Sequence, residues 1–271
     1  MQTCQIEISK LYGLDGTATL DAFTFGTFRD DNVMDKRPAI IVVPGGGYAM
    51  VSKREGEPIA AYFMGKGYNA FVLTYSVRPQ AYYPAQLLQL CASVDYIRKH
   101  ANELHVDLDR IYVVGFSAGG HLVGNFATDY MNVNEKFGKN WDLATTAAGL
   151  CYPVISVEYS VGSFLNLLAD RTEAEKKTLA ESLALDKNVT AGTLPSFVWT
   201  TAEDKVVSPI NSIRYIEACL ACGVKCELHM FSSGWHGLST CDELTNDFQP
   251  FMTRLQNWLP LCETFFSSIV K

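Results

Sequence analysis

The chain has 271 residues, 48% of them hydrophobic and 19% charged, the balance of a globular protein able to bury a full core. Its net charge of −7 argues against nucleic acid or an anionic membrane surface as a partner, since both need clustered Lys and Arg. Residues 1–10 mix Gln, Glu and Lys without an apolar h-region, and no apolar run reaches transmembrane length, so a cytoplasmic protein is expected.

Residues 5–27 read as short strands broken by Asp15-Gly16, a favoured hairpin turn. Strand and helix then alternate. Residues 39–43 predict a strand, 58–64 a helix and 70–75 a strand. Residues 87–100 carry Leu87, Leu90, Cys91, Val94 and Ile97 at helical spacing. A β-branched strand at 111–114 leads through a glycine-bounded turn into a helix at 120–128. Further strands follow at 148–152, 197–201 and 226–231, with a helix at 209–222 between the last two and a closing helix at 246–259. Near-continuous apolar strands alternating with helices predict an α/β fold, a mostly parallel sheet with helices on both faces.

Residues 156–193 interrupt this rhythm. The stretch is polar and helix-prone at Arg171-Thr172-Glu173-Ala174-Glu175-Lys176-Lys177, with Phe164, Leu165, Leu167 and Leu168 as its apolar patch. It reads either as a surface excursion or as a partial lid over a site, because insertions of this length tend to be functional. No repeat or linker divides the chain, so one domain over residues 1–271 is expected. Eight cysteines are scattered through it. Cys219-x-x-Cys222 with Cys226 nearby lacks a second pair at zinc-site spacing and a preceding redox strand, so the cysteines read as structural and no metal is expected.

The chemistry concentrates at Gly115-Phe116-Ser117-Ala118-Gly119. Strand and helix approach too closely at such a turn for any Cβ, so the glycines leave the Ser117 hydroxyl exposed on a strained backbone. G-x-S-x-G arises by chance in roughly one chain of this length in ten, so the strand–turn–helix context carries the argument. A serine needs a base. His100 and His105 flank a helix end, His121 sits in the helix after Ser117, and His229 alternates within a strand. His236 lies in Ser232-Ser233-Gly234-Trp235-His236-Gly237, a loop beyond the last strand, where an α/β sheet presents its chemistry. Asp204 follows the 197–201 strand and is the expected orienting carboxylate, with Glu203 in reserve. The order Ser–Asp–His is that of α/β-hydrolases. Pro44-Gly45-Gly46-Gly47-Tyr48, just past the 39–43 strand, offers backbone amides for an oxyanion, and the Ala118 amide offers another. No Lys-Ser/Thr or G-x-G-x-x-G accompanies these glycines, which argues against a phosphate cradle.

From about Pro38 onward the chain resembles the α/β-hydrolase fold esterases related to bacterial acetyl-xylan and carbohydrate acetyl esterases. Besides the two glycine motifs, the resemblance rests on Arg54-Glu55-Gly56-Glu57-Pro58, Tyr83-Pro84, Gly120-His121, Tyr152-Pro153-Val154, Asp204-x-x-Val207 with Asn211-Ser212, and Gly234-Trp235-His236-Gly237. It implies a triad of Ser117, Asp204 and His236, with Gly46, Gly47 and Ala118 as oxyanion donors. It further implies a short acyl group, acetyl first, on a sugar or xylo-oligosaccharide, and no cofactor. Two positions depart from the pattern. Pro44 stands where related lipases carry His, so the glycine loop needs another anchor, and an Asp common near Gln89 is absent. Two rivals remain: a serine peptidase of the same fold, with Glu55 or Glu57 receiving a substrate amine, and a non-catalytic binding protein on a hydrolase scaffold. Tyr48 and Trp235 are candidates to wall off a shallow acyl pocket.

Overall fold

The computed structural model describes residues 1–27 and 36–269. In chain order the elements begin β1 (Gln2–Ile6), α1 (Ile8–Tyr12), β2 (Thr19–Thr24), β3 (Arg37–Val43), α2 (Glu57–Gly65), β4 (Asn69–Thr74), α3 (Ala85–Lys99), β5 (Val106–Phe116), α4 (Ala118–Asp129) and α5 (Val133–Phe137). They continue β6 (Ala147–Cys151), α6 (Val161–Leu167), α7 (Glu173–Ser182), α8 (Leu185–Asn188), β7 (Ser196–Thr201), α9 (Ile210–Ala221), β8 (Cys226–Phe231), α10 (Met252–Leu255) and α11 (Trp258–Ser268).

One eight-stranded sheet runs in the order β1-β2-β4-β3-β5-β6-β7-β8. The six strands from β4 to β8 in that order are parallel to one another, while β2 pairs antiparallel with both β1 and β4. The predicted mostly parallel sheet is therefore present. Alternation along each strand splits the core in two. Ile41, Val43, Val113 and Val198 face Leu90 and Val94 of α3, Phe126 of α4 and Tyr215 of α9. Ile40, Val42, Val114 and Trp199 face Phe63 of α2 and Trp258 and Phe266 of α11. Both faces are covered, which is why the parallel strands inside the sheet lack a polar side, whereas the edge strand β8 alternates Glu227 and His229 with apolar residues. Among the described residues no helix is long and apolar enough to cross a membrane.

Two expectations need correction. β1 and β2 do pair antiparallel, but Asp15-Gly16 is no tight hairpin, because α1 intervenes and ends at Gly13 in the left-handed conformation. Ile8 is fully buried, so core burial outbid the local turn signal. The closing helix does not fill 246–259; α11 begins at Trp258 and carries the buried face Trp258, Cys262, Phe265 and Phe266. Pro260 sits in the first turn of α11, where its missing N–H has no helical partner to lose, so the helix runs on through it to Ser268.

The 156–193 stretch forms α6, α7 and α8. Helix α7 starts with a reciprocal capping box in which Glu175 N donates to the Thr172 hydroxyl and Thr172 N donates to Glu175 Oε2. All eight cysteines are free thiols, and Cys219 is buried on α9.

Candidate active site

β5 delivers Ser117 at a sharp turn into α4. Its backbone sits at φ 55° and ψ −117°, a conformation that side chains rarely adopt. The close approach expected for the flanking glycines is plain: a Cβ on Gly115 would lie 2.2 Å from the Gly119 carbonyl oxygen, and one on Gly119 2.2 Å from that of Val43. Neither position admits a side chain.

The loops after β7 and β8 bring Asp204 and His236 to this serine. Ser117 Oγ lies 2.8 Å from His236 Nε2, and His236 Nδ1 lies 2.7 Å from Asp204 Oδ2. Asp204 only accepts when ionised, so Nδ1 carries the proton and Nε2 is left to accept from the serine hydroxyl. Asp204 is itself held, since the amides of Val206 and Val207 both donate to its Oδ1 at 2.9 Å. Glu203 is not brought to the ring. Its Oε2 accepts from the Gly234 amide at 3.2 Å and so braces the loop that carries His236.

The glycine loop after β3 borders the same depression, about 500 Å³ in volume, which Gly46, Gly47, Ser117 and His236 line together. A trans peptide points its C=O and N–H in opposite directions, so a carbonyl that is held fixes the next amide. The Gly45 carbonyl accepts from Ser52 N at 3.0 Å, and the Gly46 carbonyl from Ala49 N and Met50 N at 3.0 and 3.1 Å. Those bonds turn the Gly46 and Gly47 amides away from the loop's own interior. Neither these two N–H groups nor that of Ala118 finds an acceptor among the described residues. Gly46 and Gly47 adopt φ +124° and +63°, which glycine allows without a steric cost. The Gly45 amide is different, because it donates to Glu55 Oε2 at 2.9 Å.

Glu55 supplies the anchoring that Pro44 cannot. It is buried, and its Oε1 accepts from the Tyr152 hydroxyl at 2.7 Å. Burial and then the Glu55 charge push the Tyr152 phenol well up, so it remains a protonated donor. Tyr152 also accepts from Ser239 N at 3.0 Å and sets its ring edge-to-face against His236, with centroids 5.0 Å apart. One carboxylate thus ties the glycine loop to the loop of the base. On the other side of the loop, the Tyr75 hydroxyl donates to the Pro44 carbonyl at 2.9 Å. Gln89 is buried and satisfied, bonding Ser76 N, Ser76 Oγ and the Asp15 carbonyl.

The two expected pocket walls lie elsewhere. Tyr48 is buried and turned away, its hydroxyl 2.8 Å from His121 Nδ1. Trp235 is 46% exposed and packs on Phe251 instead of the depression. Backbone direction decides both, and adjacency in sequence to a site residue does not imply facing it.

His121 is fully buried, and burial lowers its pKa from the usual 6.5 to about 4. The unfolded chain therefore takes up a proton between those values while the folded one does not. Stability is full above about pH 6.5 and falls progressively toward about pH 4, by up to about 3 kcal/mol. Urea unfolding across this range should show that slope in the wild type and a flatter one in His121→Gln.

A mostly parallel sheet covered on both faces, with Ser, Asp and His on the loops beyond three of its strands, defines an α/β-hydrolase. The carboxylesterase Cest-2923 from Lactobacillus plantarum WCFS1 superposes with a TM-score of 0.86 at 29% identity, over 100% of this chain and 99% of that one. The acetyl ester-xyloside bifunctional hydrolase from Caldicellulosiruptor lactoaceticus gives 0.80 at 32% identity, over 93% and 88%. This chain belongs to the BD-FAE family, which it matches over residues 27–218. It is also 32% identical over 227 residues to endo-1,4-beta-xylanase B of Butyrivibrio fibrisolvens. That match covers 81% of this chain but spans only 35% of the relative's length.

Proposed function

We propose that the protein is a serine esterase that hydrolyses short-chain carboxylic esters, acetyl esters first, on a sugar or xylo-oligosaccharide. The carrying observation is the continuous run from Ser117 Oγ through His236 to Asp204, with bonds of 2.8 and 2.7 Å. Ser117 Oγ attacks the ester carbonyl as His236 Nε2 takes its proton. The tetrahedral oxyanion rests on the amides of Gly46, Gly47 and Ala118, the last at the positive end of α4. His236 then protonates the leaving alcohol, water attacks the acyl-enzyme with His236 as base, and the free acid departs. Asp204 holds the imidazole in the required tautomer throughout. No metal or organic cofactor takes part.

The carbohydrate reading draws support from the lining of the site. Ser52, Arg54, Ser160 and Ser163 place hydrogen-bonding groups around it beside apolar Met50, Val206 and Val207, and a second depression of about 680 Å³ adjoins it across Ser52 and Arg54. An extended trough that sets a few hydrogen-bonding groups among apolar surface suits a sugar chain, whose rings have hydroxyl edges and apolar faces. The similarity to an acetyl ester-xyloside hydrolase and to a xylanase points the same way. A peptidase would need a carboxylate free to meet a substrate amine. Both oxygens of Glu55 are already engaged, by Gly45 N and the Tyr152 hydroxyl. Glu57, in contrast, is exposed and lines the adjoining depression, so turnover of an aminoacyl amide is what tests this rival. A cytoplasmic location belongs to the same proposal and accords with eight free thiols.

An acyl-length series of 4-nitrophenyl esters, run beside an acetylated xylo-oligosaccharide and an aminoacyl amide, tests this reading. Acetyl and propionyl esters should be best, with octanoyl poorer by at least about tenfold in kcat/KM, because overpacking a short pocket outweighs the ~0.8 kcal/mol that each added methylene returns. A kcat/KM that climbs from acetyl to octanoyl rejects the acetyl-esterase reading in favour of a lipase-like one.

A further inference from the structure

The 156–193 segment reaches the glycine loop through two separate polar contacts. Asn166, in α6, donates from Nδ2 to the Gly47 carbonyl at 2.8 Å. Beyond the end of α7, the Leu183 carbonyl lies 3.0 Å from His121 Nε2. A carbonyl only accepts, so Nε2 carries the proton and Nδ1 is free to accept from the Tyr48 hydroxyl at 2.8 Å. Phe164 of α6 packs edge-on against the same imidazole, with centroids 4.9 Å apart. The segment thus grips both residues that share the Gly47–Tyr48 peptide bond.

This grip matters because of what that stretch must hold. Gly47 and Tyr48 are consecutive residues at positive φ, +63° and 58°, and they lie outside any strand ladder. The Gly46 carbonyl is fixed by Ala49 and Met50, which sets the peptide plane before Gly47. Asn166 sets the plane after it. The Gly47 N–H lies in the first of these planes. With the second held by Asn166 as well, φ and ψ of Gly47 are fixed, so the peptide that carries the proposed oxyanion donor cannot swing about the glycine before substrate arrives. Preorganised donors of this kind act on the charge that develops in the transition state.

We propose that residues 156–193 form a fixed clamp on the oxyanion loop, with Asn166 and the Tyr48–His121–Leu183 chain as positioning residues, and that they do not act as a cover that must open. The proposal rests on the esterase reading above. Asn166 touches no reacting atom and works through Gly47; His121 works through Tyr48.

Asn166→Ala, Asn166→Asp and Tyr48→Phe test it, with Lys176→Ala as a control in the same segment. A donor that wavers stabilises the transition state less while leaving ground-state binding alone. For 4-nitrophenyl acetate, each Asn166 variant should therefore lower kcat by about 10- to 100-fold, with KM within about twofold of wild type. Affinity for an arylboronic acid, which forms a tetrahedral adduct on a nucleophilic serine, should fall by the same factor. Asn166 is only partly buried, so the thermal midpoint should stay close to wild type; a purely structural role would move the midpoint and leave kcat of the folded fraction unchanged. Adding Tyr48→Phe to Asn166→Ala should cost less than the product of the two single effects, because both release one peptide. Lys176→Ala should match wild type.

Asn166 variants whose kcat stays within threefold of wild type overturn the clamp. So does a loss confined to KM for acetylated xylo-oligosaccharide, which is the signature of a moving cover. Wild-type protein that turns over no ester and binds no boronic acid sinks the esterase reading first, and the clamp with it.

Discussion

Ser117→Ala is expected to lower kcat/KM for acetyl esters on the order of 10⁴-fold or more while the fold stays intact. The hydroxyl is the only atom group removed that could form a covalent bond with substrate, and no other group among the depression-lining residues replaces it beside His236. Its role in packing is slight. Ser117 is buried at 8% exposure, less open than the sequence suggests, but alanine keeps its Cβ and removes only the hydroxyl, whose side-chain hydrogen bond runs to His236. The bonds that hold the turn belong to the backbone: Ser117 N donates to the Cys151 carbonyl, and the Ser117 carbonyl accepts from His121 N and Val154 N. Alanine keeps all three. Steady-state kinetics with a matched unfolding curve checks both halves, and residual activity within about tenfold of wild type would remove Ser117 as the nucleophile.

Asp204→Asn should lower kcat by about 10³- to 10⁴-fold, and the reason lies in what the two Asp204 oxygens do. Val206 N and Val207 N both donate to Oδ1. An asparagine at this site must keep its carbonyl oxygen facing those amides, which leaves its NH₂ facing His236 Nδ1. The imidazole then has to accept at Nδ1 and carry its proton at Nε2, so it can no longer take one from Ser117. Glu203→Gln should change little, since Glu203 bonds a loop amide and not the ring. The comparison is kcat for both variants in parallel, and the reverse pattern would transfer the orienting role to Glu203.

The sheet and its chain order were legible because parallel strands buried on both faces leave near-continuous apolar runs, as at Ile40 to Val43 and Val113 to Phe116. The positions of Ser117, Asp204 and His236 were legible for a related reason. Ser117 directly follows such a run, and Asp204 and His236 stand in the loops after the next-to-last and last strands, although β8 itself alternates Glu227 and His229 with apolar residues. Local signals failed where a distant surface competed. Asp15-Gly16 reads as a hairpin until Ile8 finds a core to enter, and the closing helix reads as 246–259 until Trp258, Cys262 and Phe266 find a sheet face further along. Glu55 was visible as part of a family motif and as a candidate to meet a substrate amine, but nothing local says that its two oxygens meet Gly45 and Tyr152. Asn166 carried no signal at all. Its partner lies 119 residues away and is a backbone carbonyl, which no sequence pattern names.

The backbone of Ser117 has a consequence beyond the chemistry. A non-glycine residue held at φ 55° and ψ −117° costs on the order of 1–3 kcal/mol, and every folded molecule bears that cost whether or not substrate is present. Domains of this kind have about 5–15 kcal/mol of net stability in all. That net figure already contains the strain, so a chain relieved of it would hold about 1–3 kcal/mol more in reserve and would tolerate correspondingly more destabilising changes in its other strands and helices before unfolding. The mutational robustness of distant core positions such as Trp199 or Phe266 is in this sense governed partly by the geometry of one serine.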